Sequence, residues 1–342
     1  MGQQLRRCRL RGAPLSYSLL GRKGHEVIFK SAVAIAAAAI LFFGTALGAS
    51  AAKPGTFDPS GSLVIRSTNR LYVSDGQASI YVYDAASPGR QPLEVIADPN
   101  EPGALAVDDN QWLYVVNGLN NTVGIYKRGQ MKAFRTLTQG LNMPTDVAVG
   151  DDGMVYVVDY AGDLVTYPKG STVPSSITNY DTTFAGVAVD AKNDVYATVG
   201  GNKDSAYAGV QIRPGSSQMK SLFSTEFGEV FALGLTQDLA GNFVVPGRNG
   251  SNSGEVYVYP PGGGELLNNL PLKGTTLGQA AFNRSGHILF ASEVGGFGEA
   301  VNVVRYEYHL HHLRNLGYFQ LPLSSPIGVA LIPRMPLFAP SR

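Results

Sequence analysis

The stretch MPTDVAVGDDGMVYVVDYAGDLVTYPKG, residues 143–170, decides the fold of this chain. It contains three short runs rich in Val and Tyr, DVAV, MVYVVD and LVTY, separated by segments that contain Asp and Gly. Val and Tyr favour strands, whereas Asp and Gly favour tight turns. The stretch therefore predicts a small β unit, with hairpin turns at 151–153 and at the related segments 190–193 and 283–286.

The unit recurs along the chain about six times. The aromatic position of its second strand is assigned to Tyr72, Tyr114, Tyr156, Tyr196 and Phe243, with Leu289 in the sixth copy, at steps of 42, 42, 40, 47 and 46 residues. The end of the following strand gives a further register at Tyr83, Tyr126, Tyr167, Ile212, Tyr259 and Tyr306. Self-similarity at such a period is typical of stacked arrays and propellers. We predict an all-β fold, a six-bladed β-propeller, with seven blades as the alternative.

The sequence near the C-terminus predicts how the ring of blades closes. Residues 326–332 repeat the first-strand pattern with no second strand after them, so we predict that they form the inner strand of the first blade. Residues 62–66 compete for the same place. The predicted organisation is a signal peptide or signal anchor at 1–52, a linker at 53–61, the propeller at 62–333 and a loose tail at 334–342.

The N-terminal segment has the composition of an export signal. Residues 1–30 contain seven Arg or Lys and one acid, Glu26, and a charge-free stretch follows at 31–52. Small residues at 49–51 match a cleavage site, so we expect a removed signal peptide and an exported, periplasmic or extracellular protein. The alternative is an uncleaved N-terminal membrane anchor, because about 20 apolar residues can span a bilayer.

Charge and cysteine content exclude several classes of function. The chain has 27 basic and 26 acidic residues; removing the seven and the one of the N-terminal segment leaves 20 and 25, a net charge of −5. Nucleic-acid binding depends on Lys and Arg that neutralise phosphates, so we expect no nucleic-acid partner. The single cysteine, Cys8, precedes the apolar stretch, so the predicted mature domain has no disulfide.

The repeat resembles a known family. Pro144, the run DVAV, a short turn, VYVVD, a short loop and a strand ending in Tyr-Pro-Lys-Gly at 167–170 are similar to NHL/YVTN-type six-bladed propellers, over roughly residues 60–333. The resemblance implies the fold but no single activity, because such propellers include lactonase-like hydrolases, streptogramin lyases, amidating lyases and plain binding proteins.

Propellers concentrate function at one end of the central channel, where the connections into the inner strands meet the loops that follow the second strands. Eight side chains are predicted there as ligand-binding candidates: Asp75, Glu101, Asn117, Asp146, Asp159, Glu229, Arg248 and Glu293. Asp75, Asp159 and Glu229 are weak candidates for holding a metal, with Ca²⁺ as the possible ion. The alternative interpretation is that Asp75, Asn117 and Asp159 only form turns.

Two functions remain open at this point. The first is a monomeric exported module that binds a small molecule, glycan or protein at the channel mouth; the membrane enters only through an uncleaved N-terminal segment. The second is a metal-dependent hydrolase or lyase of the lactonase or streptogramin-lyase kind. The sequence lacks a serine nucleophile motif and a His base at the channel mouth, which favours binding over catalysis.

Overall fold

The computed structural model describes residues 69–98, 100–200, 208–224, 234–249, 251, 253–294, 302–321 and 326–338. The predicted signal or anchor segment at 1–52, the linker at 53–61 and the competing strand at 62–66 lie outside these residues. Within the described part of the chain, no helix is long and apolar enough to cross a membrane.

The described residues form 24 strands and one short 3-10 helix at Gly118–Asn120. The first half comprises β1 (Arg70–Ser74), β2 (Ser79–Asp84), β3 (Glu94–Ala97), β4 (Pro102–Val107), β5 (Leu113–Asn117), β6 (Thr122–Tyr126), β7 (Arg135–Leu137), β8 (Pro144–Val149), β9 (Val155–Asp159), β10 (Asp163–Tyr167), β11 (Ser176–Asn179) and β12 (Thr183–Val189). The second half comprises β13 (Val195–Gly200), β14 (Ala208–Arg213), β15 (Ser216–Ser224), β16 (Thr236–Gln237), β17 (Phe243–Arg248), β18 (Gly254–Tyr259), β19 (Asn268–Pro271), β20 (Thr275–Phe282), β21 (Ile288–Val294), β22 (Asn302–His309), β23 (His312–Gln320) and β24 (Val329–Ile332).

These strands build six four-stranded antiparallel sheets, so the protein is a six-bladed β-propeller. Blades two to six each use four consecutive strands, from β4–β7 to β20–β23. The first blade has the order β24-β1-β2-β3, with β24 pairing Ala330 opposite Tyr72. The prediction that the C-terminal strand closes the first blade is confirmed. Closure in this way gives the inner edge of β1 a partner.

The predicted hairpin turns are present because their residues accept positive φ. Gly153, Asn193 and Gly286 have φ values of 82°, 63° and 70°. The amide of each donates to the carbonyl three residues earlier, at 2.9–3.0 Å. Each of these turns joins the first and second strands of its blade, as the Asp, Asn and Gly content predicts.

The core consists of apolar layers between neighbouring blades. Tyr72, Tyr114 and Tyr156 on the second strands are each buried against residues of the following blade. The register at the strand ends is confirmed in all six copies, since Tyr83, Tyr126, Tyr167, Ile212, Tyr259 and Tyr306 pair with equivalent second-strand residues.

The second-strand register is wrong in the last two copies. Phe243 packs back on Tyr196 of the preceding blade, with ring centroids 5.0 Å apart. The residues that face the following blade are Val244 and Phe290. Since side chains alternate faces along a strand, Phe243 and Leu289 lie one residue out of register and point to the opposite face.

Candidate functional site

The mouth end of the channel is defined here by the loops after the second strands and the connections into the inner strands. The two sets of loops touch: the Gly76 amide donates to the Pro102 carbonyl at 3.1 Å, and the Tyr160 amide donates to the Met143 carbonyl at 3.0 Å. The opposite end, called the far end below, carries the hairpins between the first and second strands.

Asp75 forms a turn at the mouth end. One of its carboxylate oxygens, Oδ1, accepts the backbone amides of Gln77, Ala78 and Ser79 at 2.8–2.9 Å, and the residue is buried. Three backbone donors on one oxygen fix the hairpin between β1 and β2. The turn-forming interpretation describes this residue, and the oxygen has little capacity left for a metal.

Asp159 ties its hairpin to the neighbouring connection. Oδ1 accepts the Asp163 amide at 2.9 Å, and Oδ2 accepts the Asn142 amide at 3.1 Å. Burial raises the pKa of Asp159 to about 6, against the backbone hydrogen bonds that lower it. Both oxygens therefore have structural partners, and the side chain connects two loops.

Glu293 lies between blades five and six. Oε1 accepts the hydroxyl of Tyr306 at 2.5 Å and Oε2 accepts the Gly274 amide at 2.7 Å. Burial raises the pKa of this carboxyl. Its partners come from the last blade and from the connection that leads into it, so Glu293 joins two blades at the mouth end.

The other candidates differ in accessibility. Glu101 is exposed and precedes Pro102 with a positive φ of 58°. Asn117 is buried at the end of β5, and its Oδ1 has no hydrogen-bond partner among the described residues. Arg248 ends β17, and Glu229 lies outside the described residues.

Asp146 is the candidate that lies at the channel itself. It is 1% exposed, and its Oδ1 accepts the Val147 amide at 2.8 Å and the Gln279 side-chain amide at 2.7 Å. Oδ2 accepts the Val187 amide of the next blade at 2.9 Å. Gln279 Oε1 in turn accepts the amides of Leu105 at 2.8 Å and Val329 at 3.2 Å. The pair Asp146–Gln279, called the channel tie below, links the inner strands of five blades.

The channel tie is held in one orientation by its backbone partners. Because Oε1 of Gln279 faces two N–H groups, its Nε2 must face Asp146. Burial raises the pKa of Asp146 to about 7, against the three hydrogen bonds that favour the carboxylate. A buried carboxyl with a raised pKa is a common feature of active sites, but here every bond serves the scaffold.

Gln279 is not predicted as a partner of Asp146 from the sequence, although the residues at the equivalent positions of the other inner strands point to the pair. The equivalent inner-strand positions of the other four blades are small: Ala104, Gly186, Gly234 and Gly328. A Cβ on Gly186 would lie 2.7 Å from the Gly234 backbone, and one on Gly328 would lie 2.3 Å from the Gly103 carbonyl oxygen. The inner strands thus approach closely at the mouth end, and two long side chains in such a ring must meet.

Below the channel tie, a ring of small residues lines a cavity of ≈ 160 Å³: Ala106, Ala148, Ala188, Thr236, Ala281 and Ala330. Residues 334–338 line the same cavity at the far end. The side chain of Arg334 is 12% exposed and donates to Asp109 at 2.9 Å, Asp151 at 2.7 Å and the Val149 carbonyl at 2.6 Å. Its guanidinium lowers the pKa of Asp109.

The described part of the C-terminal tail departs from the loose segment that we predict for 334–342. The Ala191 amide donates to the Phe338 carbonyl at 2.9 Å, and the Phe338 ring lies against Gly241. The difference arises because Arg334 and the apolar residues after it have partners in the far-end hairpins, which a local sequence pattern does not show.

The described residues contain no group of three His, Cys, Asp or Glu side chains arranged to hold a metal ion. Asp75 and Asp159, two of the three metal candidates, are bonded to backbone amides instead. The third, Glu229, lies in 225–233, outside the described residues.

Comparison with solved structures supports the fold. The chain is similar to a chain of the nidogen/laminin complex, with a TM-score of 0.59 and 14% identity over 77% of this chain and 98% of that one. It is equally similar to a protein of unknown function from Bacteroides caccae, with a TM-score of 0.59, 9% identity and the same two coverages. A chain of the mitotic checkpoint complex is similar with a TM-score of 0.51 and 13% identity, over 84% of this chain and 92% of that one. No protein-family model and no curated protein matches the chain. The likeness is one of fold, and the class is the six-bladed β-propeller.

Proposed function

We propose that this protein is an exported propeller of the NHL/YVTN type that binds a small molecule, glycan or protein partner at the mouth end, without chemistry of its own. The observation that carries the proposal is that the described acidic side chains at the mouth end are hydrogen-bonded to the scaffold. Asp75, Asp146, Asp159 and Glu293 all accept hydrogen bonds from the scaffold, and the channel tie crosses the axis where a substrate would enter.

Loop length supports a binding surface at the same end. In blades four to six, five to seven residues separate the second strand from the third, against three or four in blades one to three. Leu119, in the corresponding loop of the second blade, is 55% exposed, and Glu101 is exposed beside it in the ring. Binding residues are often placed on loops held by a rigid scaffold.

The composition of the chain supports the proposed export. The basic N-terminal segment with its apolar stretch and the net charge of −5 in the remainder fit a monomeric periplasmic or extracellular protein with no nucleic-acid partner. Fractionation of cells expressing the full chain, with sequencing of the mature N-terminus, tests this part of the proposal. A chain that stays cytoplasmic at full length contradicts it.

The metal-dependent hydrolase or lyase needs carboxylates that converge on an ion. Among the described residues, Asp75 fixes its own turn and Asp159 connects two loops, so binding is the function that these residues support best.

The binding surface is tested with an array of soluble glycans and peptides. The mouth-end variant Leu119→Ser with Glu101→Gln is compared with Leu239→Ser, a matched change at a far-end leucine that is 50% exposed. We expect a ligand whose binding is weakened by the mouth-end variant and unchanged by Leu239→Ser. Ligands that lose affinity only with Leu239→Ser, or an array with no binder, contradict the proposal.

A further inference from the structure

A second cavity lies at the far end, at the seam where the ring closes. Its volume is ≈ 300 Å³, and its walls come from the last blade, the closing strand and the first blade. Ile288, Phe290, Leu331, Ile332 and Pro333 supply an apolar surface. The cavity is separate from the mouth end, where the proposed function lies.

Arg305 lines this seam from a register position that no charged residue occupies in the other five blades. It pairs with Phe290 across β21 and β22, and the equivalent residues are Thr166 and Gln211 in the third and fourth blades and Val82, Ile125 and Val258 in the other three. Those three are buried in the apolar layers between blades. Arg305 is the one charged residue at this position of the six blades, and local departures of this kind are expected at functional sites.

The guanidinium of Arg305 lacks a counter-ion in the described part of the protein. Its Nε is buried and has no hydrogen-bond partner there. Leaving a buried charged donor unpaired is unfavourable, because the lost hydration is not replaced. An anion in the cavity would remove that penalty.

The rest of the lining adds positive charge. Arg284, on the hairpin before β21, is exposed at the rim of the cavity, and Asn283 and Ser285 flank it. No Asp or Glu occurs among the described residues that line the cavity. Two guanidinium groups on a wall that carries no carboxylate are suited to an organic carboxylate or another oxyanion, which arginine binds through paired N–H groups.

We propose that this seam cavity, defined by Arg284, Arg305, Phe290, Ile332 and Pro333, binds a small organic carboxylate. The carboxylate accepts hydrogen bonds from Arg305 and Arg284, and the apolar body of the ligand packs against Phe290 and Ile332. The apolar walls favour an organic anion over inorganic phosphate, because a fully hydrated ion gains nothing from them. The proposal is independent of binding at the mouth end.

Such a ligand joins the two ends of the chain that close the ring. Because its site exists only when β24, the first blade and the last blade are assembled, binding shifts the unfolding equilibrium toward the folded state. The melting temperature therefore rises with ligand concentration.

Benzoate is a suitable probe, with benzyl alcohol as the uncharged analogue and inorganic phosphate as the purely ionic one. Calorimetric titration and thermal melts are run on the wild-type chain, Arg305→Met, Arg284→Met and the matched control Arg314→Met, whose arginine is exposed on the same blade and pairs with Glu307. We expect saturable benzoate binding that weakens about 10- to 100-fold in Arg305→Met and less in Arg284→Met. Arg314→Met should bind as the wild type does.

Each other outcome overturns the proposal. Benzyl alcohol that binds as tightly as benzoate removes the role of the arginines, and phosphate that binds as tightly removes the role of the apolar walls. Equal affinity of Arg305→Met and the wild type, or no benzoate binding at millimolar concentrations, rejects the site. If Arg305→Met fails to fold, the contrast between benzoate and benzyl alcohol on the wild type and Arg284→Met decides the question.

Discussion

Replacing Gln279 by Leu removes the channel tie at nearly constant volume. The side chain accepts the amides of Leu105 and Val329 and donates to Asp146, so it serves the first, second and third blades from the sixth. Leucine cannot form any of these bonds. The change therefore leaves two buried N–H groups without their partner and removes one of the two donors to Oδ1 of Asp146.

The magnitude follows from these three lost hydrogen bonds. A buried polar group that loses a partner costs about 1–3 kcal/mol, so the three losses together cost roughly 3–9 kcal/mol. Domains of ordinary stability unfold with about 5–15 kcal/mol, so this single change removes a large share of the total. The upper value is reached only if water does not enter the channel to replace the amide.

The assay is urea denaturation followed by tryptophan fluorescence and circular dichroism. Gln237→Leu is the matched control, because Gln237 is a buried glutamine on the inner strand of the fifth blade whose side chain forms no hydrogen bond within the described residues. We expect a small change for Gln237→Leu and a loss of several kcal/mol, about 3 or more, for Gln279→Leu. Equal losses in the two variants refute the structural role of the tie.

Three further predictions concern the core, the C-terminal segment and pH. Tyr156→Ala should lower the free energy of unfolding by about 3–5 kcal/mol, since the ring is buried between the third and fourth blades; a near-neutral urea melt refutes its placement. Arg334→Met should cost about 1–3 kcal/mol through its lost bonds to two carboxylates and a carbonyl, whereas Arg314→Met should cost little; equal melting temperatures would contradict this. Asp146 has its pKa raised from 3.8 to about 7, so the folded state keeps a proton that the unfolded state loses; its contribution to stability is full below 3.8 and lost as the pH rises through about 7. Wild type should therefore lose stability relative to Asp146→Asn over that window, by at most about 1.4 kcal/mol per pH unit, and a difference independent of pH would contradict this.

The fold follows from the sequence because the repeat is local. Tyr83, Tyr126 and Tyr167 end strands of the same kind, and the Asp and Gly turns between strands act over three or four residues. The predicted second-strand register is wrong where both faces of the strand are apolar. The runs FVV at 243–245 and ILF at 288–290 offer large side chains to both faces, so alternation cannot choose between neighbouring residues.

The site follows from the sequence only in part. The turn-forming interpretation of Asp75 is local and matches the bonds that it accepts. The partner of Asp146 is 133 residues away, and the partners of Arg334 are more than 180 residues away. Contacts at such separations depend on how the blades close into a ring, so they cannot be predicted from a single unit of the repeat.

The central claim is that the mouth end binds a partner without metal-dependent chemistry. Elemental analysis of the purified protein, paired with thermal melts before and after treatment with a chelator, is the measurement to make. We expect less than one metal ion per chain and an unchanged melting temperature, because Asp75, Asp146, Asp159 and Glu293 already accept hydrogen bonds from the scaffold. One tightly held ion per chain, whose removal lowers the melting temperature and whose binding is lost in Asp75→Asn or Asp159→Asn, would show a metal site at the mouth end and refute binding without metal.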